Sequence, residues 1–182
     1  IDGSGKNAND YAVGYMWGTT GILYNTRYVT PEEASTWGTL HNEKFEKKIF
    51  IKDAFRDVYS PMLIYAKTLE ARESGVLGAE ESLDIDTIHE LMYDSSDESI
   101  ALVESYLKRM KELVAGWEAD FGKEMMTQEK AWINLMWSGD AVWAIDEASS
   151  VDVELGYTVP KEGSVVWFDG WVIPKYAVNT KA

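Results

Sequence analysis

Trp167 and Asp169 stand two residues apart in the β-prone run 165–173, so on a strand the indole and the carboxylate leave from the same face. That pairing suits an organic ammonium. A tryptophan face attracts a cation by roughly 0.5–2 kcal/mol depending on desolvation, and a carboxylate accepts ammonium protons in charge-assisted hydrogen bonds. The pair lies within the second of two aromatic and acidic stretches, MWSGDAVWAIDE at 136–147 and LGYTVPKEGSVVWFDGWVIPK at 155–175. Trp137 closes the apolar run 131–137, and Asp53 and Asp57 follow the apolar run 48–52. These five side chains, Trp137, Trp167, Asp169, Asp57 and Asp53, are the candidate ligand contacts.

The vocabulary of catalysis is sparse. His41 and His89 are the only histidines, far apart and each among polar, helix-type residues, which reads as a surface role. There is no nucleophile elbow, phosphate loop or paired-histidine metal motif. Gly18-Thr19-Thr20-Gly21 is too short to mean dinucleotide binding, and no spacing sets two carboxylates at a glycosidase separation. The chain reads as a binding protein and not an enzyme, with no cofactor, no metal and no catalytic residue expected.

The elements that must position these residues follow from periodicity. Gly14 to Asn25 is apolar and β-prone and ends in turn chemistry at Tyr24-Asn25-Thr26. Thr30-Pro31-Glu32-Glu33 is a helix start with a capping box. After the strand 48–52, Val58, Met62, Tyr65, Ala66 and Leu69 keep helical spacing, which sets Pro61 in the first turn. Ser95-Ser96-Asp97-Glu98 opens a helix whose apolar stripe runs Val103, Tyr106, Leu107, Met110, Leu113, Val114 and Trp117. Ser138 is read as the cap of a helix over 140–148 that carries a solvated Asp140, and strands follow at 154–159 and 165–173. Strands alternating with helices imply an α/β layering with a largely parallel sheet, in which ligands gather beyond the carboxyl ends of the strands. Asp57 then has two roles open to it, ligand contact or helix cap.

Composition is consistent with an extracytoplasmic binding domain. The 182 residues are 46% hydrophobic with eight tryptophans, ample for a packed core, and hold no cysteine. A formal net charge of −14 repels nucleic acid and favours cations. No run approaches the roughly 18 apolar residues that span a membrane. The segment 1–10, rich in Gly, Asn and Asp, reads as a flexible terminus, and 11–182 as a single α/β lobe.

SGDAVWAIDE followed by GYTVPKEGSVVWFDGWVIPK resembles the spermidine/putrescine-binding proteins, the extracytoplasmic receptors of polyamine ABC transporters. YAVGYMWGTTGILYN at 11–25 is similar to that family's crossover strand between lobes, with Gly14 where proline is usual, and KKIFIKDAFRDVYSPML at 47–63 to its strand, acidic turn and helix. The resemblance implies a three-layer, periplasmic-binding-protein-like (type II) lobe with a mostly parallel central sheet flanked by helices, the second of two lobes. It implies that Asp169 and Asp57 take ammonium groups of a polyamine and that Trp137 and Trp167 wall the methylene chain. Asp53 is carried over with a departure beside it, since Ala54 and Phe55 stand where acidic or small residues are usual. Tyr15 and Trp17 are read as packing near the crossover, and Trp143 and Trp171 as core or interlobe residues. The implied partners are the polyamine, the remaining lobe and a membrane permease, and the implied location is extracytoplasmic, periplasmic or tethered to the cell surface, with no signal or anchor in the chain as given. A receptor lobe for an opine, an amino-acid derivative or a sugar is the alternative, followed by a carbohydrate-binding or carbohydrate-active module.

Overall fold

A computed structural model describes residue 5 and residues 7–179, and the chain divides into two units. The larger comprises Thr19–Val165; the smaller takes residues up to Gly18 and from Val166 onward. Half of the segment expected to be flexible, residues 1–4 and 6, lies outside the described residues, while Ala8–Asp10 form one 3-10 turn capped by the Asn7 side chain.

Strand β1 (Ala12–Asn25) contributes to both units, and its second half runs through the sheet of the larger one. After it come α1 (Pro31–Ala34), β2 (Ile49–Lys52), α2 (Phe55–Glu73), α3 (Ile85–Leu91), α4 (Asp97–Leu113), β3 (Gly116–Glu118), α5 (Gly122–Thr127), β4 (Ile133–Trp137), α6 (Ser138–Ser149) and β5 (Leu155–Thr158). The sheet order in the larger unit is β3-β2-β4-β1-β5. β2 lies parallel to β3 and to β4, whereas β1 is antiparallel to β4 and to β5. Four strands therefore share one direction and β1 alone opposes them. The shared direction comes from helical crossovers between successive strands, which parallel pairing requires. β1 enters from the smaller unit without a crossover, so the mostly parallel expectation holds for β2 to β5 and not for the pairings of β1.

Alternation of side chains sorts the sheet into two buried faces. Ile22, Ile49, Ile51, Ile133 and Leu135 pack with Met62 and Leu63 of α2 and Val103 and Met110 of α4. Leu23 and Met136 face the other way, onto Met126 of α5 and Ala141, Ala144 and Ala148 of α6. The result is three layers, helix on sheet on helix. Gly21 has no space for a side chain, because a Cβ there would stand 2.5 Å from both the Thr158 carbonyl oxygen and the Tyr157 hydroxyl.

Local signals fare unevenly. The Thr30 capping box is present with both of its hydrogen bonds, and Ser96 caps α4. α2 begins at Phe55, six residues earlier than Pro61, so the proline sits in the second turn and not the first. It removes one i to i−4 bond, the one that the Asp57 carbonyl would accept. α4 stops at Leu113 as Val114 turns extended, and Trp117 belongs to β3 rather than to the helical stripe. α6 starts at Ser138 without a side-chain cap, and Ser138 Oγ instead accepts the Thr19 N–H at 3.1 Å. His41, read as a surface residue, stacks on Tyr65 with centroids 5.9 Å apart and meets Tyr106 edge-on at 5.5 Å.

In the smaller unit, β6 (Val166–Val172) pairs with β1. Phe168 explains Gly14, since a Cβ at Gly14 would come within 3.1 Å of its ring, and proline would add further atoms there. Tyr15 and Trp171 meet edge-on at 5.2 Å. Among the described residues no helix is long and apolar enough to cross a membrane.

Candidate functional site

Because β2 and β4 are parallel neighbours, their carboxyl ends open at the same edge of the sheet. Trp137 is the last residue of β4 and is half-buried; Asp53 follows β2 directly and is exposed. Asp57 sits in the first turn of α2, where an anion is favoured by the helix dipole. Its carboxylate does not cap the helix, whose N-cap, Ala54, makes no side-chain bond. Instead Asp57 Oδ1 accepts the hydroxyl of Thr20 at 3.3 Å, and Thr20 lies directly opposite Trp137 in the β1–β4 register. The structure thus gathers three of the five expected contacts, Trp137, Asp57 and Asp53, at one end of one sheet. Beside Asp53 a cavity of about 190 Å³ is lined by Phe55, Leu107 and Trp117 among others.

A charged cluster that the sequence reading missed lies beneath this edge. Lys52, the last residue of β2, is only 2% exposed, and its Nζ stands 4.3 Å over the ring of Trp137. It donates to Asp140 Oδ2 at 3.3 Å and lies 3.4 Å from Glu118 Oε1, an ionic contact without hydrogen-bond geometry. Glu118, 1% exposed, accepts the Gly122 N–H at 3.0 Å through its other oxygen. Asp140 Oδ1 takes a second cation, Lys123, at 3.2 Å, and Lys123 rests 5.2 Å over Trp143. Asp140, expected to be solvated, is therefore a bridging anion, and Trp143, expected in the core or between lobes, is 46% exposed with a lysine over it. Only Lys52 carried any sequence signal, a lysine closing an otherwise apolar strand. Glu118 was invisible because β3 is three residues long.

Trp167 and Asp169 lie on β6, in the smaller unit, two positions apart as the strand reading requires. Asp169 is exposed; Trp167 is half-buried, and its buried indole N–H has no hydrogen-bond partner among the described residues. Trp171, read as core or interlobe, is 66% exposed apart from its contact with Tyr15.

An α/β unit with aromatic rings and carboxylates at the carboxyl edge of its sheet has the form of a small-solute binding domain. The chain belongs to the bacterial extracellular solute-binding protein family, whose pattern it matches over residues 2–182. It is 25% identical over 171 residues to the spermidine/putrescine-binding periplasmic protein of Escherichia coli, covering 94% of this chain and 42% of that protein. The spermidine/putrescine ABC transporter substrate-binding protein of Streptococcus pneumoniae, solved with calcium and HEPES, superposes with a TM-score of 0.67 at 25% identity, covering 92% of this chain and 43% of that one. A Listeria monocytogenes protein described as a spermidine/putrescine ABC transporter gives 0.72 at 26%, covering 96% and 46%. The chain thus spans less than half the length of these relatives.

Proposed function

We propose that this chain is one lobe of a two-lobe, extracytoplasmic polyamine receptor that delivers its solute to an ABC permease. The carrying observation is the edge formed by Trp137, Asp57 and Asp53, on a fold whose relatives include spermidine/putrescine-binding proteins. In this reading Asp57 and Asp53 take ammonium groups in the larger unit, and Asp169 takes one in the smaller. Trp137 and Trp167 pack the methylene chain. The task is recognition, without bond making or breaking, and hinge closure of the two lobes would trap the solute. Among the described residues the Asp53 carboxylate has no hydrogen-bond or ion-pair partner, and the Asp57 carboxylate has only the Thr20 hydroxyl, so both carboxylates are free to receive a cation.

The test is isothermal calorimetry on the protein that carries this chain, with spermidine, putrescine and a neutral sugar, at low and high salt. Amine binding that weakens as salt rises is expected, because a charged solute in an acidic cleft is screened and a sugar is not. Sugar binding without amine binding would overturn the reading in favour of a different solute.

A further inference from the structure

Trp137 already holds an ammonium. Lys52 Nζ lies over its ring at 4.3 Å, and since Lys52 is buried, the solvent-accessible part of the indole is not the part that Lys52 covers. Glu118, Lys52, Asp140 and Lys123 alternate in sign along a chain of contacts of 3.4, 3.3 and 3.2 Å and sum to no net charge. Neither Glu118 nor Asp140 is therefore available to an incoming amine.

A ring polarised towards a cation on one side holds a second cation on its other side less well, and two ammoniums so placed would face each other across about 9 Å of low-dielectric indole. From this we infer that Lys52 is a specificity-determining residue. It converts Trp137 from a cation site into an apolar platform, so the solute lays uninterrupted methylenes on Trp137 and presents its charge to Asp57 and Asp53. The inference rests on the polyamine reading and selects within it. An α,ω-diamine is favoured over a triamine whose internal ammonium would lie on the ring.

The discriminating ligands are spermidine and 1,8-diaminooctane, which have the same chain length and differ by one internal ammonium in place of a methylene. Calorimetry on the protein that carries this chain should find tighter binding of 1,8-diaminooctane. The double variant Lys52→Met/Glu118→Gln removes the resident cation without stranding a buried carboxylate, because Asp140 keeps Lys123. It should raise the ratio of spermidine to 1,8-diaminooctane affinity by at least about 10-fold, the scale of one desolvated cation–π contact. Lys52→Arg, which keeps a cation over the ring, should not move that ratio. Tighter spermidine binding by the unmodified protein, or an unchanged ratio in the double variant, would overturn the role of Lys52 while leaving a polyamine receptor standing. If the double variant does not fold, the comparison of the two ligands on the unmodified protein still decides. Binding of neither amine would defeat the polyamine reading itself.

Discussion

At the scale of single residues, burial decides roles that residue type leaves open. In sequence Asp57 has both a ligand contact and a helix cap open to it; in the structure its carboxylate accepts the Thr20 hydroxyl and the cap position falls to Ala54. His41 looks like a surface residue, yet it is wedged against Tyr65 and Tyr106 with Nε2 buried and unpaired, and burial, with Arg109 adding to it, pushes its pKa down to about 4. Its unfolded value is near 6.5, so between these limits the folded state binds fewer protons than the unfolded state. The stabilisation is complete above about pH 6.5 and is lost as pH falls towards 4, on the order of 2–3 kcal/mol in all. Urea midpoints of the chain should therefore fall between pH 7 and 4.5, and His41→Phe should flatten that slope; an equal slope in the variant would show that His41 is not its source. Asp169 supports a second prediction. In the protein that carries this chain, Asp169→Asn should lower amine affinity by at least about 2 kcal/mol, the scale for a buried ammonium deprived of its partner. Unchanged affinity in a titration would remove Asp169 from the contacts.

At the scale of elements, the site depends on how closely β3, α5 and β4 approach. Gly122 opens α5 with its N–H on Glu118, and a Cβ there would meet Asn134 Nδ2 at 2.2 Å and Glu118 Cδ at 2.5 Å. Neither neighbour has room to retreat, since Asn134 and Glu118 are both buried. Gly122→Ala should cost about 1–3 kcal/mol by overpacking, read as a fall of several degrees in the thermal midpoint. A variant as stable as the unmodified chain would mean that α5 shifts without penalty. The strong local signals, the Thr30 box and the Ser96 start, were legible because a helix end uses only residues within one turn. Pro61 and Ser138 are placed differently for the opposite reason: the first turn of α2 carries the Asp57 contact to Thr20 of β1, 37 residues away, and Ser138 is held by Thr19, 119 residues away.

At the scale of the molecule, the chain supplies one sheet edge and one paired strand segment of a protein family whose compared members are more than twice its length. If it is one lobe of a receptor, its contacts are a share of the whole. The chain alone should bind putrescine or spermidine no tighter than about millimolar. Calorimetry or ligand-observed resonance would check this, and micromolar affinity would contradict a cleft shared with a further lobe. The net charge of −14 acts at the same scale, favouring cations by a field that salt screens, whereas the cluster around Lys52 is neutral and short-ranged.

The sequence by itself determined the layering, because apolar alternation and runs are local properties that only a two-faced sheet between helices can bury. It also set Trp137 at the end of one strand and Asp53 and Asp57 just after another, two strands that the structure makes parallel neighbours. Tertiary structure alone decided that Lys52 and Glu118 meet as a buried ion pair and that Lys52 lies over Trp137. Those neighbours are separated by 66 and 85 residues in the chain, and their encounter is set by strand order and register, which no local pattern encodes.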